Sequence, residues 1–475
     1  AAASVKRPRP PFLPIDACVE GSRALLDGTL CDLVICSPNY YAAMSGDGVD
    51  RAIVCVLDGE CDADWQPVFG TFNPDDIVMV QYSSGTTGAK KGVVVSRRAV
   101  TGYLQADSEQ SEVCPGDALG TWLPLNHDMG LVGNFLMAFY MELPLVIMSP
   151  FRWLKKPAQF FQLVSKYQVM ATRMPNSAFS FAAASVRDKD LEGCDLGSWK
   201  SCLNGAEVNT LRSMELFLEK FEKYGFSRDA LRPGYGMAEI VLGATLAPFY
   251  KGYCVDWIDK DRLRDAHTAE PAEPSSPEAR PIVSQGYAIR GIELAIANND
   301  GEHLPERQVG EILIRSDNCM EGYLEQEELT AEVLVDGWFA TGDMGYLAED
   351  QLYICGRKKD LIIASGQNIY PEDIEALCEE VDSIRKGRAV AFGVPDEARG
   401  SELPTLLFET VNELSDGESS ELCLSLKDLA ARKLGVVLTT VKTVPKGWIL
   451  KTSSGKLERS RNQAKWLDQR ETASA

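Results

Sequence analysis

The sequence has little of several features on which common functions depend. It has only three histidines, His127, His267 and His303, in 475 residues, which argues against a metal site built from several histidines. Its 13 cysteines include no C-x-x-C pair, so their spacing gives neither a zinc signature nor a disulfide framework. Scattered cysteines of this kind are typical of reduced thiols in a cytoplasmic protein.

Positive charge and long apolar runs are also scarce. Lys plus Arg is 48 and Asp plus Glu is 69, so the net charge is −21. An acidic surface repels nucleic acid and anionic membranes.

The opening AAASVKRPRPPFLP lacks the apolar stretch of a signal peptide. The most apolar segment, residues 133–148, is interrupted by Glu142 and Pro144 and predicts a buried helix and strand. We therefore expect a cytoplasmic protein with no nucleic-acid partner and no membrane span.

Short apolar runs alternate with helical patterns over most of the chain. Hydrophobic residues make up 45% of it, enough to bury a large core. The runs at 50–57, 77–82, 145–148 and 169–172 predict strands, whereas 158–167 and 210–224 predict helices. This alternation favours an α/β fold with parallel sheets.

The second half of the sequence changes character. Residues 265–280 are rich in Pro, Ala, Ser and Glu without periodicity, which predicts a surface loop or insertion. The runs at 293–297 and 311–315 predict strands of a smaller β-rich subdomain. A boundary is predicted near GRKKD at 356–360, and the mixed α/β pattern after it has the size of an independent domain.

The strongest local signal is YSSGTTGAKKG at residues 82–92, which follows an apolar strand. Its glycines let backbone N–H groups turn inward, and its hydroxyls add donors. Lys90 and Lys91 add positive charge, so the loop suits a polyphosphate. It does not have the G-x-x-x-x-G-K-[ST] spacing of the common nucleotide loop.

This loop closely resembles the phosphate loop of the adenylate-forming superfamily, which includes acyl-CoA synthetases, luciferases and peptide-synthetase adenylation domains. Lys90 stands where proline is usual. Five further segments resemble superfamily motifs in the right order: NGAE at 204–207, GYGMAE at 234–239, ATGDMGYL at 340–347, GRKKDLIIASGQNIYPEDIE at 356–375 and KTSSGKLER at 451–459. Six motifs in order argue strongly against chance agreement.

The resemblance implies an α/β fold with a large N-terminal domain of β-sheets flanked by helices, which carries a β-rich subdomain. A small mobile α+β C-terminal domain would follow. We predict the adenylation domain at 1–354, a hinge at 355–360 and the C-terminal domain at 361–475. The phosphate loop of relatives lies well over 100 residues into the chain, so we expect the N-terminal portion of the fold to be missing here.

The resemblance also implies roles for individual residues, with ATP and Mg²⁺ as cofactors. Tyr235 would stack on adenine, Asp343 would accept hydrogen bonds from the ribose hydroxyls, and Arg357 would help to hold the ribose. Glu239 would ligate Mg²⁺, and Lys456 would stabilise charge as the carboxylate attacks the α-phosphate. Taken singly, each residue has an ordinary structural interpretation, such as a turn or a surface charge.

Two sets of residues follow from this comparison. The predicted catalytic residues are Lys456, Glu239 and His127. The predicted ATP-binding residues are Ser83, Ser84, Gly85, Thr86, Thr87, Gly88, Lys91, Asn204, Gly205, Ala206, Glu207, Tyr235, Gly236, Met237, Ala238, Asp343, Arg357 and Lys359. Ala238 replaces a threonine found in many relatives, which removes one hydroxyl near the phosphates.

The segment WLPLNHDMGLVG at 122–133 resembles the fatty acyl-AMP ligase branch, which activates fatty acids and passes them to acyl carrier proteins. No F-D-x-S motif lies between 128 and 204, which argues against an amino-acid substrate. An alkyl chain would suit an apolar lining. The candidates for that lining are Phe135, Leu136, Phe139, Phe179 and Phe181.

The predicted reaction joins a fatty acid to AMP with release of pyrophosphate, and then transfers the acyl group to the phosphopantetheine thiol of an acyl carrier protein. An insertion expected at 249–282 supports this branch, because such an insertion restrains the C-terminal domain and disfavours the reaction with CoA.

Lys91 also matches CoA ligases, so an acyl-CoA synthetase remains an alternative. An alternative of another class is a non-catalytic lipid or nucleotide-binding sensor, against which the intact set Glu239, Asp343, Arg357 and Lys456 argues.

Overall fold

The computed structural model of the protein describes residues 33–36, 52–55, 72–82, 91–364, 367–396, 401–451 and 457–474. Two short strands, β1 (Leu33–Cys36) and β2 (Ala52–Cys55), form a parallel pair. Strands β3 (Ile77–Tyr82) and β4 (Gly92–Ser96) pair antiparallel across the predicted phosphate loop. The strand predicted at 77–82 is confirmed.

One half of a long sheet is parallel. Its strands are β5 (Ala118–Thr121), β6 (Leu145–Ile147), β7 (Val169–Pro175), β8 (Ser201–Gly205) and β9 (Leu231–Tyr235). They lie in the spatial order β6-β5-β7-β8-β9, and each is parallel to its neighbours. The carboxyl ends of parallel strands meet at one edge of a sheet, where α/β proteins bind ligands.

Helices connect these strands, as the alternating pattern predicts. They are α1 (Arg97–Ser111), α3 (Pro150–Lys155), α4 (Ala158–Tyr167), α5 (Asn176–Ser185) and α6 (Leu211–Phe221). A composite helix α2 joins Asp128–Gly130, a π-helical stretch Leu131–Leu136 and Met137–Tyr140. The oxygen of Ser96 caps α1 by accepting from the N–H of Ala99, as a serine at this position often does.

The other half of the sheet is antiparallel. Strand β10 (Thr245–Leu246) joins the halves by pairing with β9 and β12 (Ala279–Ala288). The order then continues through β18 (Gln351–Arg357), β17 (Trp338–Ala348), β14 (Gly310–Arg315) and β13 (Glu293–Ala297). Strands β11 (Val255–Asp259) and β16 (Leu334–Val335) pair with β12 and β17, and β15 (Gly322–Tyr323) pairs with β4. Helices α7 (Lys260–Ala266) and α8 (Glu327–Val333) lie among them.

The C-terminal part forms a small α+β unit. It contains the hairpin β19 (Ile362–Ala364) and β20 (Gln367–Ile369), and the three-stranded sheet β21 (Ile384–Asp396), β22 (Ser401–Thr410) and β23 (Thr440–Thr443). Helices α9 (Pro371–Glu379), α10 (Asp416–Leu434) and α11 (Arg459–Ser474) complete it. Its apolar clusters are separate from the main core.

This architecture confirms the predicted fold class, a large sheet-rich N-terminal domain followed by a small α+β C-terminal domain. The bounds 1–354, 355–360 and 361–475 stay a prediction. In the main core, the rings of Trp122 and Trp153 stack at 4.6 Å, and the largest fully buried side chains include Trp199, Phe161 and Phe217. In the part of the chain that the structure describes, no helix has both the length and the apolar character needed to cross a membrane.

Candidate active site

The ends of two neighbouring parallel strands bring two predicted segments together. Strand β8 ends at Gly205 and β9 ends at Tyr235, so residues 204–207 and 234–239 meet at the same edge of the sheet. The chain turns tightly after Tyr235. A Cβ on Gly236 would lie 1.8 Å from the carbonyl oxygen of Leu242, so only glycine fits there.

Three predicted nucleotide-binding residues are in direct contact at this edge. The register of β17 and β18 places Asp343 opposite Arg357. The Nε of Arg357 donates to Oδ1 of Asp343 at 2.8 Å, and the hydroxyl of Tyr235 donates to Oδ2 at 2.7 Å. We call these three residues the edge trio.

Burial and charge differ within the edge trio. The Asp343 side chain is 8% exposed, whereas that of Arg357 is 42% exposed and faces solvent. The negative charge of Asp343 raises the pKa of Arg357. Burial, reinforced by Asp343, raises the pKa of the Tyr235 hydroxyl. The trio therefore keeps a fixed anion beside an accessible cation.

Glu239 lies in the short helical turn Ala238–Ile240 that follows this edge. Its Oε1 accepts a hydrogen bond from the hydroxyl of Tyr323 at 2.9 Å, and its backbone oxygen accepts from Met320 N–H at 2.7 Å. The Nζ of Lys91 lies 4.8 Å from the centre of the Tyr323 ring. Tyr323 thus connects the end of the predicted phosphate loop to the predicted metal ligand. Burial, followed by the charge of Glu239, raises the pKa of Tyr323.

Asn204 and Glu207 are held by helix α5. The Nδ2 of Asn204 donates to Oδ1 of Asn176 at 3.1 Å, while its own buried Oδ1 has no partner among the described residues. The carboxylate of Glu207 accepts from the backbone N–H of Ser177 at 2.6 Å and from its hydroxyl at 3.2 Å. An anion is stabilised at this helix N-terminus. Ala206 between them has a φ of 68°.

His127 makes local contacts at the start of α2. Its Nδ1 lies 2.6 Å from Oδ1 of Asp128, and it occupies the N-cap position of the helix. Within the described ranges, no hydrogen bond joins it to the edge trio or to Glu239. The catalytic role predicted for His127 stays a prediction.

The residues after β18 connect the edge trio to the small domain. Burial lowers the pKa of Lys359, and the nearby Arg357 adds to this effect. Asp360 accepts from Nη1 of Arg459 at 3.0 Å. Arg459 also pairs with Glu372 at 2.9 Å and with Glu375 at 2.7 Å. Sequence reasoning missed this ion-pair network, although Arg459 ends the motif KTSSGKLER.

Lys451 places the same motif beside the large domain. Burial lowers the pKa of its ammonium group, and the charge of Glu207 acts in the opposite direction. Lys451 in the small domain and Glu207 at the sheet edge are therefore close enough to interact. Lys456 itself lies outside the described residues, as do Ser83, Ser84, Gly85, Thr86, Thr87 and Gly88.

The apolar side chains proposed to line an alkyl pocket lie on two helices, α2 and α5. Phe179 packs against Phe217 with ring centres 5.0 Å apart, whereas Phe181 lies beside Trp153. Phe139 is 70% exposed and contacts Phe135 on the outside of α2. These contacts do not test whether the two helices line one pocket, so the alkyl lining stays a prediction.

Comparison with known proteins identifies the class to which this site belongs. Residues 42–324 match the family model described as AMP-binding enzyme. A Caulobacter vibrioides protein provisionally named an acyl-CoA synthetase is 32% identical over 400 residues, which cover 84% of this chain and 69% of that protein. The chain belongs to the AMP-binding enzyme family and is an adenylate-forming ligase, and ATP use is typical of this family.

Two further relatives carry more specific names. The medium-chain-fatty-acid–[acyl-carrier-protein] ligase JamA of Moorena producens is 31% identical over 416 residues, covering 83% of this chain and 69% of that protein. A solved structure from a study of fatty acyl-adenylate ligases from E. coli and L. pneumophila superposes with a TM-score of 0.86 at 29% identity. The superposed region covers 97% of this chain and 82% of the chain in the solved structure. The resemblance found in the sequence is confirmed.

Proposed function

We propose that the protein activates a fatty acid with ATP to give an acyl-adenylate and pyrophosphate, and then passes the acyl group to the phosphopantetheine thiol of an acyl carrier protein. The observation that carries this proposal is the edge trio of Tyr235, Asp343 and Arg357 next to Glu239. The names of JamA and of the fatty acyl-adenylate ligases support the choice of acid and acceptor.

The chemistry requires positioning more than proton transfer. One oxygen of the fatty-acid carboxylate attacks the α-phosphorus of ATP, and the bond from that phosphorus to the oxygen bridging the β-phosphate breaks. Pyrophosphate leaves with the electron pair of that bond. A carboxylate is already ionised at neutral pH, so no general base is needed. Orientation and charge stabilisation supply most of the acceleration.

The residues at the edge fit a nucleotide. An ionised carboxylate offers about four acceptor sites, and Asp343 uses one each for Arg357 and Tyr235. Acceptor sites therefore remain for ribose hydroxyls. The unpartnered Oδ1 of Asn204 is a further acceptor, and Gly236 allows close approach of the backbone. Gly205, Ala206, Met237 and Ala238 would complete the adenine side.

The residues also fit a magnesium ion at Glu239. Oε1 of Glu239 holds the Tyr323 hydroxyl, which leaves its second oxygen for a cation. Mg²⁺ is commonly bound through one or two carboxylates together with substrate phosphates, so a single glutamate is sufficient. When bound, the ion would neutralise charge on the phosphates, with Lys91 beside them.

The position of the small domain supports the role of Lys456. Lys451 precedes it by five residues and interacts with Glu207 at the sheet edge. Lys451, the first residue of the motif, therefore lies near the site. We propose that Lys456 stabilises the charge that develops on the α-phosphate.

The segment 249–282 supports a carrier protein as the acceptor. Nη1 of its Arg264 donates to the carbonyl oxygen of Leu434 at 3.3 Å, and its Arg280 pairs with Asp373 at 2.6 Å. Both partners belong to the small domain. These contacts restrain that domain, in the way expected of an insertion that disfavours reaction with CoA.

An acyl-CoA synthetase is the second candidate. Lys91 matches CoA ligases, and the structure places it against Tyr323 beside Glu239. The name of the Caulobacter vibrioides relative points the same way. In this case CoA would accept the acyl group from the same adenylate.

The decisive experiment supplies ATP, Mg²⁺ and a panel of fatty acids, with and without CoA or a phosphopantetheinylated carrier protein. Mass spectrometry separates acyl-AMP, acyl-CoA and acyl-carrier products. We expect acyl-AMP that is unaffected by CoA and is consumed by the carrier. Acyl-CoA would favour the second candidate, and absence of product with every acid would contradict both. Lys456→Ala should lose the product, whereas Lys446→Ala, at an exposed position nearby, should not.

A further inference from the structure

One arginine of the small domain contacts three carboxylates beside the turn that follows β18. Nη1 of Arg459, at the start of α11, lies 3.0 Å from Oδ2 of Asp360 and 2.9 Å from Oε1 of Glu372. Its Nε and Nη2 donate to the two oxygens of Glu375 at 3.0 Å and 2.7 Å. All four side chains are at most 15% exposed. We call these four residues the Arg459 cluster.

The Arg459 cluster is rich in negative charge. Three carboxylates share one guanidinium, and the charge of Glu372 acts on Arg280, which has its own partner in Asp373 at 2.6 Å. Within the described ranges, Arg459 is the only residue that forms an ion pair with Asp360. A buried carboxylate is costly once its partner is removed. Without Arg459, Asp360 would therefore turn to another cation.

The turn after β18 places two such cations beside Asp360, and we propose above that both face the nucleotide. The N–H of Leu361 donates to the carbonyl oxygen of Arg357 at 3.2 Å, and side chains three residues apart face the same side of so tight a turn. Asp343 raises the pKa of Arg357, and Asp360 adds to this effect. Asp360 also opposes the lowering of the pKa of Lys359 that burial causes. The carboxylate of Asp360 is therefore close enough to attract both cations.

Arg357 has donors to offer to a carboxylate that comes within reach. Its Nε donates to Asp343, and its guanidinium forms no other hydrogen bond with the described residues. The side chain is 42% exposed, so Nη1 and Nη2 are the atoms that a nucleotide can reach. Arginine pairs with carboxylates and phosphates alike. A carboxylate released from Arg459 would thus compete with the nucleotide for the same two nitrogens.

We propose that Arg459 is a positioning residue for ATP binding, which holds Asp360 away from Arg357 and Lys359 so that both cations face the nucleotide. This inference rests on the proposed function, because it concerns the ATP site of that reaction. Arg459 belongs to the small domain, whereas Arg357 ends a strand of the large one. The small domain thus contributes to ATP binding through the turn that links it to the large domain.

The test compares the wild type with Arg459→Met, Asp360→Ala and the double variant. Calorimetric titration with ATP and Mg²⁺ gives Kd, and pyrophosphate release with a fatty acid gives KM for ATP. We expect Arg459→Met to raise both by about tenfold or more, the effect of losing one charge-assisted contact. The double variant should bind ATP nearly as well as Asp360→Ala alone, because no carboxylate is left to compete. KM for the fatty acid should change little in all of them.

Two further variants guard against a general loss of structure. Arg461→Met is the matched control, since Arg461 lies on the same helix, is exposed and pairs with Glu458, and it should leave Kd and KM unchanged. If melting curves show that Arg459→Met does not fold, Arg459→Lys takes its place. A lysine keeps the charge but lacks the planar fork that reaches two carboxylates together. Its smaller loss of affinity should likewise disappear in combination with Asp360→Ala.

The double variant separates positioning from simple support of the fold. If removal of Asp360 does not restore ATP binding, or if Arg459→Met binds ATP like the wild type, the inference is overturned. If no acid releases pyrophosphate while the Kd values follow the expected pattern, the proposed reaction fails and the role of Arg459 stands. A wild-type protein that does not bind ATP would contradict both.

Discussion

The large domain contains two groups of the same composition, each made of an arginine, an aspartate and a tyrosine. The edge trio of Arg357, Asp343 and Tyr235 lies at the sheet edge with its arginine 42% exposed. The second group combines Arg173 with the fully buried Asp107. Its tyrosine is Tyr103, whose pKa is raised by burial and then by the charge of Asp107. We call it the core trio.

The difference between the two groups lies in access rather than in chemistry. At the edge, solvent reaches the arginine, so a ligand can bind with little rearrangement. In the core, every member is enclosed, so the charges stabilise the fold. Identical functional groups can therefore serve binding in one place and stability in another, and matched substitutions can separate these roles.

Asp343→Ala should have the largest effect on activity. Loss of this anion removes the predicted ribose acceptor, and we expect pyrophosphate release to fall by about 100-fold or more, as for other preorganised polar groups. The melting temperature should change little, because the exposed Arg357 can be solvated. Near-normal kcat/KM for ATP in this variant would show that the edge trio does not bind nucleotide.

Glu239→Gln should also impair activity at the edge. Removal of the charge weakens a hard-cation site, and we expect a loss of about 100-fold that excess Mg²⁺ partly restores. Tyr323→Phe is the matched control, since it removes only the hydrogen bond to Glu239 and should cost much less. Equal losses in both variants would instead indicate that the hydrogen bond, and not the metal, matters.

Asp107→Asn should have the opposite effect to the substitutions at the edge: it should reduce the stability of the fold and leave activity largely unchanged. Removing one partner of a buried ion pair costs about 3–5 kcal/mol, because Arg173 then keeps an uncompensated charge. Chemical denaturation should show a lower midpoint, while KM for ATP of the folded variant stays near that of the wild type. Unchanged stability would contradict the structural role assigned to the core trio.

The ion pair between Arg280 and Asp373 predicts a smaller, pH-dependent effect. Burial raises the pKa of Asp373 to about 6, and the charge of Arg280 acts in the opposite direction. The carboxyl group of Asp373 therefore binds a proton more tightly in the folded protein than in the unfolded chain. Its charged form lowers the free energy of unfolding above pH 6, and this destabilisation disappears as the pH falls toward 4.

Asp373→Asn should mimic the protonated group. We expect it to melt a few °C above the wild type at pH 7, a shift of about the size that 1 kcal/mol gives, and to show a smaller difference at pH 5. Melting curves of both proteins at the two pH values measure this. If the ion pair rather than burial dominates, Asp373→Asn should instead melt below the wild type at pH 7.

The sequence predicted the helices and strands better than it predicted which side chains contact one another. Strand 77–82 and helix 158–167 have the predicted bounds, because local periodicity determines them. Asp343, Arg357 and Tyr235 come from three separate motifs and lie in contact, while their roles toward a nucleotide stay a prediction.

Long-range partners gave no signal in the sequence. The hydrogen bond from Tyr323 to Glu239 joins residues 84 positions apart, and no motif marked Tyr323. Arg232 lies in an apolar-looking strand, where nothing revealed that its charge is enclosed. The ring contact of Phe179 with Phe217 shows the same limit, since hydrophobicity predicts burial but not the neighbour.

Arg357 is the last residue of β18, and the turn Lys358–Asp360 follows it directly. If the small domain turns about this point, Arg357, which we propose holds the ribose, lies at the pivot of the motion, whereas residues far from the turn, such as Lys451, move through a longer path. A nucleotide bound at the edge trio would then keep its contacts with the large domain while the small domain moves. Rotation of the small domain would thus take the protein from adenylate formation to acyl transfer without release of the bound adenylate.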